Sequence, residues 1–363
     1  MRPCSPAQRL AERRAEQEVG RSGLGAIEDA LRAPSVYNTQ PWRWRIRPGE
    51  VELHADWDRH LVAADPDRRD LLLSCGAALH HFQVALAARG ISFDVVRLPD
   101  PENSGHVATV DIGPPEPDAA DRSLYSGIAR RRTDCRQMSR RAVPTDHLRI
   151  LANHTSRCGA VLVPVTGETM RRRMLNALVE TANEKHQQFG YASEWRQWTH
   201  RYPGSHDGIP AANIVRSAPA PSAPFLMHRC TDGSLPRPPI VPGSGSGDDA
   251  AELVEVATRG DDALDRLQAG EATSAVLLAA TQLGLATTPF SQAVELHSSP
   301  QRLRRDVLRI PEYPQLLIRV GWPASGATEL PATPRRSLCS VFCVDPIDIG
   351  AVDIGAVEPG AGK

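Results

Sequence analysis

The pattern of apolar and polar positions predicts a chain in which helices and short strands alternate. Residues 5–32 are interpreted as helix, and residues 42–47 alternate between Trp or Ile and Arg, as a half-buried strand does. A turn then leads into a second strand at 51–54. A long apolar helix is predicted for 71–89, and Gly90 ends it.

The same signals continue less regularly through the rest of the chain. Further helices are predicted around 145–151, 169–188 and 272–283, and further strands at 92–96, 161–165, 287–290 and 315–320. Residues 202–249 differ in kind, because they hold nine prolines and show little periodicity. A loop of that length is either disordered or a functional lid.

Two glycine-bracketed stretches resemble each other. Gly76 and Gly90 stand fourteen residues apart, as do Gly270 and Gly284, and each pair encloses a helix rich in Ala and Leu. Each helix then runs into a short extended segment. Small residues are common wherever helices pack closely, so the similarity suggests internal duplication without proving it.

Composition argues against several classes of protein. The 42 Lys and Arg residues balance 43 Asp and Glu residues, which disfavours a general nucleic-acid-binding surface. Residues 1–26 are charged and lack the apolar core of a signal peptide, and the apolar runs are expected to fall short of a membrane span. The seven cysteines are scattered and odd in number, which favours reduced thiols in a cytoplasmic protein. No second ligand cluster completes a zinc site around Cys339 and Cys343, so no metal is predicted.

Residues 33–42 carry the most suggestive chemistry. This segment, the polar bend, places the Ser35 hydroxyl and the carboxamides of Asn38 and Gln40 between a predicted helix and a predicted strand. Asn and Gln side chains can pair with both the N–H and the C=O edges of a flat polar heterocycle. Taken alone, the segment also fits a polar turn that caps a helix.

Two arginine-rich stretches suggest anion binding. Residues 130–136 precede a predicted helix, and Arg335 and Arg336 follow the last predicted strand. Guanidinium groups beside a hydroxyl can hold a phosphate dianion, although solvated surface charge is the alternative. No glycine-rich phosphate loop or dinucleotide fingerprint follows a strand, so a mononucleotide with one phosphate and one flat ring suits these residues better.

Several motifs, in the right order, resemble the nitroreductase superfamily over about residues 22–343. The polar bend resembles its flavin-contacting segment, and Arg131-x-Thr133 resembles its phosphate motif. The C-terminal order is also similar, through 279–285, 317–321 and 335–338. The chain looks most like the Acg branch, a group of actinobacterial flavoproteins, at 64–78, 198–199, 207–210 and 333–336.

The resemblance implies an α+β fold, duplicated and fused as a pseudo-dimer of mostly antiparallel sheets packed by helices. The chain would then comprise a charged helical extension (1–21), a first half (22–125), a second half (126–345) with the lid 202–249 inserted, and a flexible tail (346–363). Ordinary members are homodimers with FMN at the interface. Because each half here lacks the motif that the other supplies, the two halves are expected to form one flavin site.

The resemblance also assigns cofactor-binding residues. It implies that the FMN phosphate is bound by Arg131, Thr133, Arg335 and Arg336, and that the ribityl chain and ring edges are bound by Ser35, Asn38 and Gln40. The superfamily's third basic residue aligns with Cys135, so Arg136 would have to take that role.

The implied function is an FMN-dependent oxidoreductase that takes hydride from NAD(P)H and passes it to a quinone or nitroaromatic acceptor. No catalytic side chain is needed, and His80 and His81 are interpreted as core histidines. The alternative is a flavin-storing protein whose lid blocks access and leaves little turnover. We expect a small-molecule electron acceptor as partner, no nucleic acid or membrane, a cytoplasmic location, and an internal pseudo-dimer able to act as a monomer.

Overall fold

The computed structural model describes residues 22–116, 122–202, 204–210, 250–291, 294–296 and 299–342. Helix α1 covers 22–30. The other helices are α2 (Arg69–Ala88), α3 (Tyr125–Arg130), α4 (Thr145–Arg157), α5 (Glu168–Gln187), α6 (Tyr191–Trp198), α7 (Ala263–Gln282), α8 (Ser299–Arg302) and α9 (Leu338–Val341). The strands are β1 (Trp42–Arg47), β2 (Glu50–Ala55), β3 (Ile91–Arg97), β4 (His106–Pro115), β5 (Val161–Pro164), β6 (Thr199–Arg201), β7 (Ile209–Pro210), β8 (Glu252–Thr258), β9 (Ala286–Phe290) and β10 (Tyr313–Gly321). Short 3-10 helices cover Val36–Asn38, Trp57–Arg59 and Arg122–Leu124, and a π-helix covers Leu303–Leu308.

Strands β1 to β4 form an antiparallel sheet in the order β1-β2-β4-β3. The predicted alternation decides which face is buried, because Trp42 and Trp44 are fully enclosed while the arginines between and after them remain partly or fully exposed. Gly49 in the β1–β2 hairpin has a φ of 80°, a conformation that glycine adopts without steric cost. The first core lies between this sheet and helices α1 and α2.

Strands β5, β8, β10 and β9 form the second antiparallel sheet, in that order. Strand β10 is buried from Pro314 to Gly321 because the sheet is covered on both faces. Leu316 and Ile318 pack with α7, whereas Leu317 between them packs with α5 and the π-helix. Successive side chains of β10 therefore point into two different cores, in agreement with the strand predicted there.

The two sheets have the same topology. In each sheet, a long helix follows the second strand of the order given above. The next strand in sequence lies at the edge of the sheet, and the strand after it pairs with that edge strand. The long helix is α2 in the first unit and α7 in the second. The second unit differs mainly by a long insertion between β5 and β8, which contains α5, α6, β6 and β7.

Helices α2 and α7 cross at two glycines. A Cβ atom on Gly76 would lie 2.1 Å from the Leu267 carbonyl oxygen, and one on Gly270 would lie 2.2 Å from the Leu73 carbonyl oxygen. Each glycine therefore faces the backbone of the opposite helix, at the residue three positions before the other glycine. The contact is thus the same in both directions. The helices can approach this closely because neither position carries a side chain.

Both central helices end at the predicted glycines. Gly90 has a φ of 68° and Gly284 a φ of 75°, the left-handed conformation that commonly closes a helix C-terminus. Strand β3 or β9 follows at once, so the similarity of the glycine-bracketed stretches marks two equivalent helix–strand units. Helix α4, predicted for 145–151, is longer than expected and ends at Arg157.

The C-terminal segment 333–342 returns to the first sheet. Val341 of α9 belongs to the first core, and Phe342 forms a bridge with Trp44 of β1. In the other direction, Leu124 and Ile128 pack on α7 in the second core. The return of the C-terminal segment brings Arg335 and Arg336 beside the polar bend.

Two composition-based expectations need correction. Helix α2 is long and apolar enough to cross a membrane by length and composition, although 89% of its apolar window is buried inside the protein. Cys135 is disulfide-bonded, so the expectation of reduced thiols throughout is wrong at that position. The free cysteines among the described residues are Cys75, Cys158 and Cys339.

Three predicted segments cannot be compared with the structure. The N-terminal extension 1–21, residues 211–249 of the predicted lid and the tail 346–363 lie outside the described residues.

Candidate functional site

The polar bend turns sharply between α1 and β1. Positive φ angles occur at Tyr37 (45°), Asn38 (56°) and Gln40 (52°). Two serine hydroxyls hold the bend: Ser35 Oγ accepts the Gln40 N–H at 2.9 Å, and Ser74 Oγ of α2 accepts the Val36 N–H at 3.2 Å. Such strained backbone persists where surrounding contacts fix it, and it is common at ligand sites.

Asn38 joins three segments of the chain. Its Nδ2 donates to the carbonyls of Gly208 at 2.9 Å and Pro334 at 3.0 Å, and its Oδ1 accepts from Arg335 at 3.0 Å. The Asn38 carbonyl also accepts the Gly208 N–H at 3.1 Å. Asn38 therefore fastens both the C-terminal segment and the loop 204–210 to the bend.

Gln40 is fully buried and, like Asn38, hydrogen-bonds to two other segments of the chain. Its Nε2 donates to the His206 carbonyl at 3.0 Å, and its Oε1 accepts the Arg336 N–H at 2.8 Å. The expectation that Asn38 and Gln40 bind the edges of a ring does not match this arrangement, because the chain itself takes up their hydrogen-bonding groups. Ser35 is half-buried, and among the described residues no acceptor is found for its hydroxyl hydrogen.

Arg336 lies in a cluster with a carboxylate. Its Nη1 is 3.1 Å from Asp56 Oδ2, and Asp56 also pairs with Arg43 at 3.1 Å and Arg59 at 3.5 Å. Asp56 and Arg336 are both buried. This Asp56 cluster (Asp56, Arg43, Arg59 and Arg336) accounts for the charge of Arg336, so the expected phosphate role for Arg336 is not supported by its placement.

Arg335, the preceding residue, points elsewhere. Its Nη atoms donate to Asn38, to Thr333 Oγ1 at 2.6 Å and to the carbonyls of Arg32 at 3.1 Å and Ala33 at 3.3 Å. Its Nε is enclosed and has no hydrogen-bond partner among the described residues. Among the residues that the structure describes, Arg335 is thus positioned by neutral acceptors.

Arg131 and Thr133 follow helix α3, and the structure brings them together. Arg131 is buried, and its Nη1 lies 3.4 Å from Thr133 Oγ1. Thr133 is held in place by a bridge to Thr287 of β9. The Nε of Arg131, like that of Arg335, is enclosed without a partner in the described part of the chain.

Arg131 and Arg335 are both buried beside other positive charges, and the charge of Arg131 acts on Arg335. Burial, followed by the charge of Arg132, lowers the pKa of Arg131 to about 10. Burial, followed by the charges of Arg131, Arg132 and Arg32, lowers the pKa of Arg335 to about 9. Within the described residues no carboxylate pairs with either, and guanidinium groups remain protonated at neutral pH. Two positive charges therefore lie near each other without a carboxylate partner in the described part of the chain.

Arg136 does not join this pair. Its Nε and Nη2 bind Asp134 at 2.9 and 2.8 Å, and its Nη1 donates to the Thr328 carbonyl at 2.8 Å. Hydrogen bonds that Arg136 donates to Asp134 raise the pKa of Arg136. The placement therefore offers no support for Arg136 as the third phosphate-binding residue, because Asp134 already neutralises it.

His81 lies beside Arg131 and Arg335, although the sequence indicated an ordinary core histidine. The ring is fully buried, its Nδ1 is 3.0 Å from the Ala77 carbonyl and 2.8 Å from Ser274 Oγ, and its Nε2 has no partner among the described residues. Burial, followed by the charge of Arg131, holds the pKa of His81 well below its usual value. The sequence signal was an adjacent pair of histidines on an apolar helix, which does not reveal what the ring faces. We call Arg131, Thr133, Arg335 and His81 the Arg131 cluster.

The first part of the predicted lid lies on the polar bend. Besides the carbonyls that bind Asn38 and Gln40, the loop 204–210 contributes Asp207, which pairs with Arg59 at 2.9 Å and Arg201 at 2.5 Å. Arg59 in turn links this loop to the Asp56 cluster. The bend is therefore covered by residues that sequence reasoning placed in a proline-rich segment.

One group of potential metal ligands occurs among the described residues, on the first sheet. Glu52, His54 and His106 place ligand atoms within 4.8 Å of one another. Glu52 already accepts from Arg47 at 2.7 Å and lies 2.9 Å from His54. The two imidazole rings stack with centroids 4.6 Å apart and 20° between their planes, so their nitrogen lone pairs do not converge on one ion. We assign no metal to this group.

A surface cavity of about 480 Å³ lies between α5 and the π-helix. It is lined by exposed charged side chains, among them Arg173, Arg305 and the pair Arg302–Glu180, whose atoms are 2.6 Å apart. It shares no lining residue with the Arg131 cluster. Its charges face solvent, so they require no bound ion.

Comparison with known proteins establishes the family. Over 314 residues the chain is 41% identical to a Mycobacterium tuberculosis protein named "Putative NAD(P)H nitroreductase Rv3131", spanning 86% of this chain and 88% of the relative. This chain belongs to that family of NAD(P)H nitroreductases. It is also 34% identical over 320 residues to the M. tuberculosis protein named "Putative NAD(P)H nitroreductase acg", and the match spans 88% of this chain and 94% of the relative. The predicted resemblance to the Acg branch is confirmed, and no protein-family model matches the chain.

Solved structures of other nitroreductases are more distant. One with bound FMN from Bacteroides fragilis is 14% identical, with a TM-score of 0.38, and spans 61% of this chain and 98% of that chain. One with bound FMN from Desulfitobacterium hafniense is 12% identical, with a TM-score of 0.37 and the same coverage. At such low similarity, these structures give no information about the site residues of this nitroreductase.

Proposed function

We propose that this nitroreductase binds FMN and works as an NAD(P)H-dependent oxidoreductase. The observation that carries the proposal is the pair Arg131 and Arg335, whose Nε atoms are enclosed without a partner in the described residues. Enclosed charge without a counter-ion is costly, and an anion that binds there removes much of that cost. A phosphate dianion offers three strong acceptor oxygens and fits such a site.

Three side chains would hold the FMN phosphate. Arg131 and Arg335 supply charge and N–H donors, and the Thr133 hydroxyl lies 3.4 Å from the Arg131 guanidinium. Ser35 is retained as a candidate for the ribityl chain, because its hydroxyl hydrogen finds no acceptor in the described residues. Asn38 is retained as a positioning residue, since its Oδ1 orients Arg335.

FMN supplies hydride-transfer chemistry when bound, so the protein needs no catalytic acid or nucleophile. The chain's part is to bind and orient: Arg131 and Arg335 anchor one end, and the Ser74-supported bend fixes the adjacent wall. We propose NAD(P)H as the electron donor and a quinone or nitroaromatic as the acceptor. The partner would be that small molecule, with neither nucleic acid nor membrane, in the cytoplasm.

We also propose that the protein is a fused pseudo-dimer with one flavin site, divided at 22–125 and 126–345. The equal strand orders and the reciprocal contact of Gly76 and Gly270 support an internal duplication. His81 of the first half and Arg131 of the second half would serve the same site, so a single chain would suffice.

A second function, flavin storage with little turnover, is favoured by one observation. Residues 204–210 are fastened to the polar bend through Asn38 and Gln40, and α6 joins them because Tyr191 Oη lies 3.2 Å from Tyr37 Oη. A cover held by this many contacts would hinder the approach of a nicotinamide.

Reduction of the purified protein separates the two functions. For an oxidoreductase, NADPH or NADH should bleach the flavin absorbance of the FMN-loaded protein. Bleaching by dithionite alone would favour storage. A protein that is isolated colourless and takes up no FMN would exclude both.

A further inference from the structure

We propose that His81 is a further phosphate-binding side chain of this nitroreductase, beside Arg131, Arg335 and Thr133, and that it takes up a proton from solvent when the phosphate binds. The inference rests on the proposed FMN site. It assigns to a histidine of the central helix a role that the flavin-binding motifs do not contain.

The surroundings of the His81 ring decide which nitrogen carries its hydrogen. Nδ1 of His81 lies 3.0 Å from the Ala77 carbonyl, which can only accept, so we assign the hydrogen of the neutral ring to Nδ1. Ser274 Oγ of α7 lies 2.8 Å from Nδ1 of both His81 and His80, which fixes the ring further. In the neutral ring, Nε2 is then a bare lone pair.

The lone pair on His81 Nε2 lies in positively charged surroundings. Nε2 is enclosed without a partner among the described residues, as are the Nε atoms of Arg131 and Arg335. The charged or titratable groups that act on the His81 ring are Arg131, His80 and Arg335, and none of them is an acid. The His81 ring of α2 therefore lies in the positive field of two arginines, one from the loop after α3 and one from the C-terminal segment, and each of the three side chains has an enclosed nitrogen without a partner among the described residues.

A bound phosphate would change the protonation of His81. Without an anion, protonation of His81 would add another positive charge beside Arg131 and Arg335, so the ring stays neutral. A phosphate dianion balances the two guanidinium charges, and its oxygens accept from an Nε2–H. Phosphate and proton therefore bind together: the proton leaves the buffer, adds to Nε2, and forms the hydrogen bond.

The alternative is that neutral His81 accepts a hydrogen bond from a ribityl hydroxyl. That arrangement involves no proton and depends on the sugar-like chain rather than on the phosphate. Riboflavin, which has the ribityl chain but no phosphate, therefore distinguishes the two.

The experiment is calorimetric titration of the apoprotein with FMN and with riboflavin, between pH 6.5 and 8.5, in buffers of different ionisation enthalpy. We expect FMN binding to take up close to one proton at the upper end of this range. Its affinity should fall by up to tenfold per pH unit as pH rises, because the bound state holds the extra proton. Riboflavin binding should take up no proton.

Variants complete the test. His81→Gln, which cannot be charged, should abolish proton uptake and weaken FMN about tenfold to a hundredfold, leaving riboflavin affinity unchanged. His80→Gln is the matched control, because it also loses a bond to Ser274 but should keep proton uptake. The wild-type measurement needs no variant and stands if His81→Gln fails to fold.

Three outcomes would overturn the inference. FMN binding without proton uptake, or an equal loss of FMN and riboflavin affinity in His81→Gln, would contradict it while leaving the proposed FMN site intact. No binding of FMN at all would overturn the proposed function as well.

Discussion

The Arg131 cluster and the Asp56 cluster are both built from arginines beside the polar bend, yet they differ in one respect. Asp56 pairs with Arg43, Arg59 and Arg336. Arg131 and Arg335 have no carboxylate partner in the described residues. The first arrangement contains a carboxylate, whereas no carboxylate among the described residues pairs with the arginines of the second.

The difference shows which arginines to assign to a ligand. Arg335 and Arg336 are adjacent in sequence and both match the family's ending, so no motif separates them. Their guanidinium groups diverge, one to neutral carbonyls and Asn38 and the other to a buried aspartate. The counter-ion, rather than the sequence position, separates a structural arginine from a candidate ligand-binding one.

The largest expected effect comes from breaking the Asp56 cluster. Asp56→Asn leaves buried Arg336 without its counter-ion and should lower the free energy of unfolding by about 3–5 kcal/mol, measured by urea denaturation. Asp58→Asn is the control, because Asp58 is 88% exposed although it also pairs with Arg43. Its effect should stay within about 0.5 kcal/mol. Equal effects of the two variants would contradict the structural role of the Asp56 cluster.

The adjacent arginines should respond in opposite ways. Arg335→Met should weaken FMN binding by about 1.5–3 kcal/mol while changing the stability of the apoprotein little, because it removes a charge that has no counter-ion. Arg336→Met should instead lower the free energy of unfolding by a similar amount. Fluorescence titration with FMN and urea denaturation of both variants check this. If Arg336→Met lost FMN affinity without loss of stability, the two assignments would be reversed.

Fold and site differ in how much the sequence could predict. The alternation at 42–47 and the ends of the two central helices follow from local patterns, so they were predictable, whereas the antiparallel α+β class was implied by the resemblance to the nitroreductase superfamily. Pairing between distant segments was not, because no period reveals that the C-terminal segment returns to β1. The overlooked His81 has the same origin: an apolar helix reveals that a residue is buried, but not which charges it faces.

Within the site, the sequence predicted the components better than the contacts. Arg131 and Thr133, which the resemblance placed in one phosphate motif, lie together in the structure. Asn38 and Gln40 are the polar, bend-forming residues expected, but their carboxamides bind the loop 204–210 and the C-terminal segment. A carboxamide suits a backbone peptide as well as a heterocycle, and only the tertiary structure decides between them.

Inorganic phosphate should sharpen the contrast without any flavin. An anion that fills the Arg131 cluster stabilises the folded state by about 1.4 kcal/mol at a tenfold excess over its dissociation constant. The melting temperature should rise more in phosphate than in chloride of equal ionic strength. Arg335→Met should lose most of that rise, and Arg336→Met should keep it. A rise that persists unchanged in Arg335→Met would point to a phosphate site elsewhere.

The smallest expected effect concerns acid. Burial alone would raise the pKa of Asp207, but hydrogen bonds from Arg201 and Arg59 outweigh burial and bring it below 3.8. Its contribution is therefore present above that pH and is lost as pH falls through the lowered pKa. Asp207→Asn should remove about 1 kcal/mol or less at pH 7 and flatten the fall in stability between pH 5 and 3. An unchanged acid profile would show that this pair adds nothing to stability.

The most direct test of the central claim is the ratio of FMN to riboflavin affinity in the apoprotein, with Arg131→Met beside the wild type. If the Arg131 cluster binds the phosphate, the wild type should prefer FMN by at least about a hundredfold, on the scale of two charge-assisted hydrogen bonds. Arg131→Met should lose about tenfold or more of that preference. Equal affinities for FMN and riboflavin in the wild type would contradict the account.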